Sequence, residues 1–166
     1  MTSVNVKIGN VGSYWPDACK QAVKDLNVLF KRKGIKVTLA LGGAGPTIGV
    51  KTDASITGTA VHGKTRVEVD GAGRLRRADV RLPVKLTINT PAGSRDAGAG
   101  MAEVVAAHEF VHALGHTPHD SHLMAQTLQK VMGDRPAGDK LRAGGIAMPP
   151  LQLSKETVKA LKEIWK

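Results

Sequence analysis

A chain of 166 residues, 42% of them hydrophobic, is long enough to bury the core of one domain, so we expect a single domain over residues 1–166. It has no apolar run long enough to cross a bilayer, no signal-peptide pattern in residues 1–4, and one cysteine, Cys19, which excludes an intrachain disulfide and a cysteine-based zinc site. The formal net charge of +10 indicates either an anionic polymer or acidic protein as a partner, or simply a solvated basic surface. Aromatic residues make up only 3% of the chain, which offers little for stacking on nucleic-acid bases.

The first third of the chain has the pattern of a strand, a helix and a second strand. Residues 4–8 alternate apolar and polar side chains, which predicts a short strand. Residues 16–33 have apolar side chains at helical spacing, a proline at the start and Gly34 after the end, which predicts an amphipathic helix. Residues 35–41 are rich in β-branched and apolar residues and follow as a strand, so we expect a parallel βαβ unit. Cys19 lies on the apolar stripe of the helix and is expected to be a buried thiol rather than a redox or metal-binding one.

The middle of the chain predicts further strands joined by turns. Residues 42–46 are a glycine-rich loop without the lysine and hydroxyl of a phosphate-binding loop. His62 next to Gly63 is expected to be a turn or surface histidine. Residues 70–73 form a strong turn signal. The predicted strands are residues 55–61, 65–69, 76–82 and 84–89.

The last part of the chain predicts two helices. A polar lead-in at residues 91–100 precedes a helix that begins at Met101, and Gly115 is placed to end it. Residues 125–150 lack a clear period, with one helical turn expected at 125–132 and a loop at 133–145. Ser154 is expected to cap a final helix whose buried stripe is Val158, Leu161, Ile164 and Trp165.

Together these elements predict an α+β fold. We expect a mixed, mostly parallel twisted sheet with an N-terminal helix, a central helix that carries a histidine motif, and a C-terminal helix.

The motif is HExxH at residues 108–112, and five of the six histidines lie between 108 and 122. His108 and His112 are one helical turn apart on one face, so both imidazoles can reach one metal ion. Glu109 is then close enough to act as a general base on a water at that metal. Two exposed or hydrogen-bonded histidines without a metal are the alternative.

A catalytic zinc needs a third protein ligand and an open position. On a continuing helix His116 would lie roughly 12 Å from His108 along the axis, too far to share the ion. His119, four residues beyond Gly115, can return to the metal if the chain bends at the glycine, so it is the expected third ligand with His116 in reserve. Asp120 and Glu156 remain as alternative oxygen ligands.

Residues 106–115 closely resemble the active-site helix of the matrixins, the matrix-metalloproteinase branch of the metzincin clan, whose pattern is HExxHxxGxxH followed by a Met-turn. Residues 121–124 resemble the Met-turn, which implies that Met124 lies beneath the metal. Residues 77–82 resemble the strand before the active-site helix, and residues 153–158 resemble the start of the closing helix. The chain departs from the pattern at its third histidine, which would fall on Pro118, so that His119 is one residue late.

The resemblance implies a metzincin-like fold and a zinc-dependent endopeptidase with one catalytic zinc ion held by His108, His112 and His119. Glu109 would be the general base, and the strand at 76–82 would bind a protein or peptide substrate by β-addition. It also implies a secreted or exported protein, although no signal peptide and no propeptide with a cysteine switch are visible, and we expect a monomer. Structural Ca²⁺ stays undecided. A cell-wall peptide hydrolase, and a basic binding module with a structural or inactive zinc site, are the alternatives.

Overall fold

The computed structural model describes residues 1–57, 62–90, 92–126, 141–143, 146–148 and 150–166. Helices and strands alternate in the first third, strands dominate the middle, and a helix ends the chain. The helices are α1 (Pro16–Lys33), α2 (Ala99–Ala113) and α3 (Lys155–Ile164), and the strands are β1 (Thr2–Ile8), β2 (Val37–Ala40), β3 (Thr47–Thr52), β4 (Lys64–Val69), β5 (Leu75–Leu82), β6 (Thr87–Thr90), β7 (Gly93–Asp96), β8 (Leu141–Ala143) and β9 (Ile146–Met148).

Five strands form one twisted sheet in the order β2-β1-β3-β5-β4. β1, β2, β3 and β5 run parallel, whereas β4 runs antiparallel to β5. β6 with β7, and β8 with β9, form separate antiparallel hairpins. The predicted βαβ unit is confirmed, and so is a mixed, mostly parallel sheet accompanied by an N-terminal, a central and a C-terminal helix.

Helix α1 has the bounds that its sequence predicts. Pro16 and Asp17 occupy the first turn, where a missing N–H is tolerated and a negative charge meets the helix dipole. Gly34 adopts a left-handed conformation after the last turn and donates its N–H to the carbonyl of Lys31 at 3.2 Å. Cys19 is fully buried on the inner face, and burial raises the pKa of its thiol to about 12, so the predicted buried thiol is confirmed.

The hydrophobic core lies between one face of the sheet and helices α1 and α2. Alternate residues of β1, β3 and β5 point into it, namely Val4, Val6, Ile48, Val50, Ala78 and Val80. Three alanines of α2, Ala102, Ala106 and Ala107, are fully buried and allow α2 to pack closely against its neighbours. Each fully buried valine or isoleucine stabilises the fold by about 1.5–3 kcal/mol. The other face of the sheet carries charged, exposed side chains on β3, β4 and β5.

Four expectations about strands are wrong or incomplete. β3 lies in the centre of the sheet but is not among the predicted strands, because its alternation is limited to Ile48 and Val50 with Gly49 between them. Residues 55–57 are a turn followed by irregular backbone instead of a strand, and residues 58–61 of the same prediction lie outside the described part. β7 occupies the predicted polar lead-in, and β8 begins within the predicted loop at 133–145. The helical turn expected at 125–132 falls almost entirely outside the described residues.

The predicted strand at 76–82 exists as β5, but it is an interior strand. β3 pairs with one side of β5 and β4 with the other, so β5 has no free edge at which a peptide could add. The prediction that this strand binds substrate by β-addition is therefore wrong. β4 is the edge strand on that side of the sheet, within the described residues.

Helix α3 begins as predicted. Ser154 is its N-cap and accepts the N–H of Thr157 at 2.9 Å. Leu161 and Trp165 are buried as expected, but Ile164 is 44% exposed, and the polar Thr157 takes a fully buried position instead. Among the described residues, no helix combines the length and the apolar character needed to cross a membrane.

A carboxyl group is buried at the contact between α1 and α2. Glu103 of α2 is 8% exposed, and its Oε1 has no hydrogen-bond partner among the described residues. Burial, then a hydrogen bond to Asp25 of α1 and the charge of that carboxylate, raise the pKa of Glu103 to about 8. Glu103 is therefore protonated in the folded protein at neutral pH.

Glu103→Gln should stabilise the protein at alkaline pH but not at acidic pH. The folded wild type binds one more proton than the unfolded chain between about pH 4.5 and pH 8, so its free energy of unfolding falls as pH rises through that window. The amide of Gln stays neutral and can still donate to Asp25. The gain should reach a few kcal/mol at most above pH 8, since one pKa unit corresponds to about 1.4 kcal/mol.

Chemical denaturation of both proteins in EDTA, at several pH values, measures this difference. Glu163→Gln is a suitable control, because the hydrogen bond from Lys166 lowers the pKa of the exposed Glu163 and the trend should not appear there. A constant difference between wild type and Glu103→Gln at every pH would show that Glu103 does not titrate as described.

Candidate metal centre

The histidine motif lies in the last two turns of α2, and the chain turns back immediately after it. Gly115 has a φ of +104°, a conformation that side chains other than hydrogen disfavour, and its N–H donates to the carbonyl of His112 at 2.9 Å. The predicted end of the helix at this glycine is confirmed. A Cβ at Gly115 would lie 3.3 Å from Ile164, so α3 packs directly over the turn.

The turn brings three imidazoles together. The Nε2 atom of His112 lies 3.0 Å from Nε2 of His108 and 3.3 Å from Nε2 of His119. One ligand atom from each of the three residues lies within 4.8 Å of the other two. Zinc–nitrogen bonds of 2.0–2.1 Å in a tetrahedral site separate two ligand nitrogens by about 3.4 Å. The three histidines can therefore share one metal ion with little movement.

Backbone carbonyls fix the tautomers of two of these rings. Nδ1 of His108 lies 2.7 Å from the carbonyl oxygen of Leu123, and Nδ1 of His112 lies 2.7 Å from that of His116. Because a carbonyl oxygen only accepts, each Nδ1 carries the proton and donates it. Both Nε2 atoms then hold lone pairs, so their 3.0 Å contact is not a hydrogen bond between neutral rings. A cation between them satisfies both lone pairs, which is why the residues fit a metal.

The same environment keeps the rings neutral. Burial lowers the pKa of His108 to about 4, against the opposing effect of the Leu123 carbonyl. Burial also lowers the pKa of His112, again opposed by its carbonyl partner. Metal ligands must be deprotonated to bind, so these two histidines are in the required state at neutral pH before any ion arrives.

His116 faces away from the three-histidine group. It is 4% exposed, and its Nε2 lies 3.2 Å from Oγ1 of Thr157 and 3.4 Å from Oδ2 of Asp120. Its contribution to the centre is the backbone carbonyl that accepts from His112. The described part of the chain thus offers three histidines at one point, not four.

Asp120, next to His119, anchors the loop that carries the third imidazole. Its Oδ2 accepts hydrogen bonds from Oγ1 of Thr157 at 2.6 Å and from Oγ of Ser154 at 2.8 Å, and its Oδ1 accepts the N–H of Ser121. Burial acts to raise the pKa of Asp120, but these hydrogen bonds lower it below its ordinary value. The position of His119 is therefore coupled to the first turn of α3.

Of the alternative oxygen ligands, Asp120 is engaged in this cluster and Glu156 is exposed on α3.

Met124 is fully buried in a tight turn that follows the cluster. The Met124 N–H donates to the carbonyl of Ser121 at 3.2 Å, and the Met124 carbonyl accepts the N–H of Asp120 at 2.9 Å. His122 has a φ of 55°, rare for a residue with a side chain, and pairs with Leu153 in an isolated bridge. This turn presents the Leu123 carbonyl to His108.

Glu109 points from α2 toward the edge strand β4. It is 5% exposed, and its Oε2 accepts a hydrogen bond from Oγ1 of Thr65 at 2.5 Å. A Cβ at Gly63 would lie 2.7 Å from the Glu109 carboxyl group, so the backbone before β4 lies directly against it. Burial raises the pKa of Glu109 to about 7, although the Thr65 hydroxyl acts to lower it.

His62, half-buried beside Gly63, is close enough for its charge to contribute to the low pKa of His108.

Several groups that position the site could not be recognised in the sequence. Thr65 and Gly63 lie more than forty residues before Glu109 and become its neighbours only through the pairing of β4 with β5. The carbonyls of Leu123 and His116 carry no side-chain signal. The sequence suggests Asp120 only as an alternative oxygen ligand, whereas hydrogen bonds from Ser154 and Thr157 give it a supporting role.

No protein-family model matches the chain, and a search of curated proteins also finds no match.

His119→Ala should weaken zinc binding far more than His116→Ala. The first substitution removes a ligand nitrogen, and we expect a loss of more than about 100-fold in affinity. The second leaves the backbone carbonyl of residue 116 in place and removes only a supporting contact, for which about 10- to 100-fold is the usual upper range.

Competition with a chromophoric chelator measures both affinities, and thermal unfolding in EDTA checks that each variant still folds. If His116→Ala were the weaker binder of the two, the third ligand would have to be reassigned to His116.

Proposed function

We propose that this chain is a zinc-dependent endopeptidase with a metzincin-type, matrixin-like site. The observation that carries the proposal is the convergence of His108, His112 and His119 at one point, together with a buried glutamate, Glu109, that follows His108 in the same helix. Three imidazoles leave a coordination position open, as catalytic zinc sites require. His116, which would close the site as a fourth ligand, is engaged with Thr157 instead.

A zinc ion bound there would supply an open position that lowers the pKa of a water and polarises the scissile carbonyl group. The protein supplies everything else. His108 and His112 stay neutral and correctly oriented through their carbonyl partners. Glu109 accepts the proton of the attacking water and passes it to the nitrogen of the leaving amine.

Glu109 is well suited to carry this proton. Its pKa of about 7, set mainly by burial, lies near neutrality, where a general base also becomes an effective general acid. A zinc ion held by the three histidines would favour the carboxylate form of Glu109, which is the form that accepts a proton. The Thr65 hydroxyl donates a hydrogen bond to Oε2 and holds the carboxyl group in place.

The substrate would lie along β4 instead of β5. β4 is the edge strand within the described residues, and Thr65 in it contacts Glu109. An extended peptide that pairs with this edge passes beside the catalytic carboxyl group, as required for peptide-bond cleavage.

A cell-wall peptide hydrolase is the second candidate, because the net charge of +10 favours anionic polymers. Purified peptidoglycan and a denatured protein, given separately to the zinc-loaded enzyme, distinguish the two substrates. Release of wall peptides without cleavage of the denatured protein would select the second candidate.

Glu109→Ala should keep zinc and lose peptide cleavage, because the substitution removes the proton acceptor but none of the three imidazoles. A loss of at least about 10²- to 10⁴-fold in kcat/KM is expected for a missing general base. Zinc stoichiometry and cleavage of a denatured protein are the two measurements. Glu103→Gln alters another buried glutamate of the same helix and is the control that should stay active. Undiminished cleavage by Glu109→Ala would overturn the mechanism.

Gly63→Ala should reduce cleavage without releasing zinc. The added methyl group would lie 2.7 Å from the Glu109 carboxyl group and push it away from its hydrogen bond with Thr65. Displacement of a catalytic group by about 1 Å can cost about 100-fold in rate, so a fall of 10- to 100-fold in kcat is expected.

Gly71→Ala is the matched control for this substitution, since a Cβ at Gly71 would meet nothing within 4 Å. Equal activity of the two variants would show that Glu109 can move freely away from residue 63.

A further inference from the structure

The outward face of β4 carries a cation on each side of Thr65 in sequence. Lys64, Arg66 and Glu68 alternate with Thr65 and Val67 along the strand, and the first three are exposed. Thr65 points to Glu109 and Val67 packs against the core, so Lys64 and Arg66 point to the opposite, solvent-facing side of the sheet. Thr65, the residue that contacts the catalytic carboxyl group, thus lies between two outward-facing cations.

These cations belong to a row of like charges across the sheet. In register, Lys51 of β3 pairs with Arg81 of β5, and Arg81 pairs with Lys64 of β4. Only one carboxylate among the described residues bonds to this row, Asp53 to Arg81 at 3.2 Å. Like charges directly opposite each other destabilise a sheet, so an external anion beside the row would reduce the repulsion between its cations.

The adjacent row leaves a further positive charge at the edge. Arg66 pairs in register with Asp79, but the carboxylate of Asp79 bonds to Arg77 at 2.8 Å. Neither Lys64 nor Arg66 forms an ion pair with any residue that the structure describes. Farther along β4, Glu68 lies in register with Arg77, so Lys64 and Arg66 are the cations of β4 itself that lack a carboxylate partner among the described residues.

We propose that the peptidase selects acidic substrates, with a carboxylate side chain at each of two alternate positions that lie beside Lys64 and Arg66. This inference rests on the proposed function, because it places the substrate along β4, the edge strand within the described residues. Side chains of an added strand alternate between the two faces of the sheet, so every second residue meets the cationic face and the residues between them meet the cleft.

A peptide scan tests the preference. Each position around the scissile bond of a cleaved peptide is made Glu or Lys in turn, and kcat/KM is measured for each peptide. We expect two positions, with one residue between them, at which Glu is preferred over Lys by roughly two- to fivefold each. Lys64→Glu should abolish or reverse the preference at one of them, and Arg66→Glu at the other.

Lys51→Glu is the matched control, since it makes the same charge change in the same row but lies two strands away from the edge. It should leave both preferences in place. Equal effects of Lys51→Glu and Lys64→Glu would overturn the proposal, because they would indicate a general affinity of the whole sheet face for anions.

Binding to the metal-free protein separates this inference from the proposed function. Fluorescence polarisation in EDTA compares labelled Glu-containing and Lys-containing peptides with wild type, Lys64→Glu and Lys51→Glu. If the acidic peptide binds more tightly than the basic one, and only Lys64→Glu loses this difference, the result supports the inferred preference for acidic peptides even if no peptide is ever cleaved. Cleavage by the zinc-loaded enzyme without any charge preference, and without this difference in binding, would refute the inference and leave the peptidase intact.

Discussion

The centre depends on two hydrogen bonds from imidazole rings to backbone carbonyls. The carbonyl of Leu123 orients His108, and the carbonyl of His116 orients His112. Both acceptors lie in the segment that follows α2, so the helix alone cannot set the ligand geometry. The turn at Gly115 is what returns this segment to the helix, because its φ of +104° is costly for any other residue. The backbone conformation at Gly115 therefore determines whether the Nε2 lone pairs of His108 and His112 face each other.

Facing lone pairs are unfavourable without a cation, so the protein must stabilise the arrangement elsewhere. Asp120 provides part of this support through hydrogen bonds from Ser154 and Thr157 in the first turn of α3. Helix α3 is held in turn by Trp165, whose ring N–H donates to the carbonyl of Leu114 at 3.0 Å. The C-terminal segment thus forms hydrogen bonds at both ends of the loop that carries His119, at Leu114 and at Asp120. A preorganised site of this kind binds a metal more tightly, because the ordering has already occurred in the folded chain.

The sequence predicts those parts of the molecule that local chemistry determines. Helix α1 has a proline start, a glycine end and a clear apolar stripe, and its predicted bounds of 16–33 are those of the structure. The three histidines that converge were also anticipated, because helical geometry pairs His108 with His112 and leaves His119 within reach of a bend. The sequence could not show that β4 is the edge strand, since strand order depends on contacts between distant segments. β3 was missed for a related reason: a central parallel strand needs no alternating pattern of its own, and Gly49 conceals the short one it has.

In the proposed function, β4 would connect the chemistry of the site with the recognition of a substrate. Its inward side chain Thr65 holds Glu109, while the backbone at Gly63 limits where that carboxyl group can move. As the edge strand within the described residues, β4 would bind the peptide, and its outward side chains would set the charge that the peptide meets. Because one strand serves these purposes, a shift of its register by one residue would exchange the inward and outward sets, removing Thr65 from Glu109 and placing cations in the cleft. The pairing of β4 with β5 is therefore as much a requirement for the proposed activity as the histidines themselves.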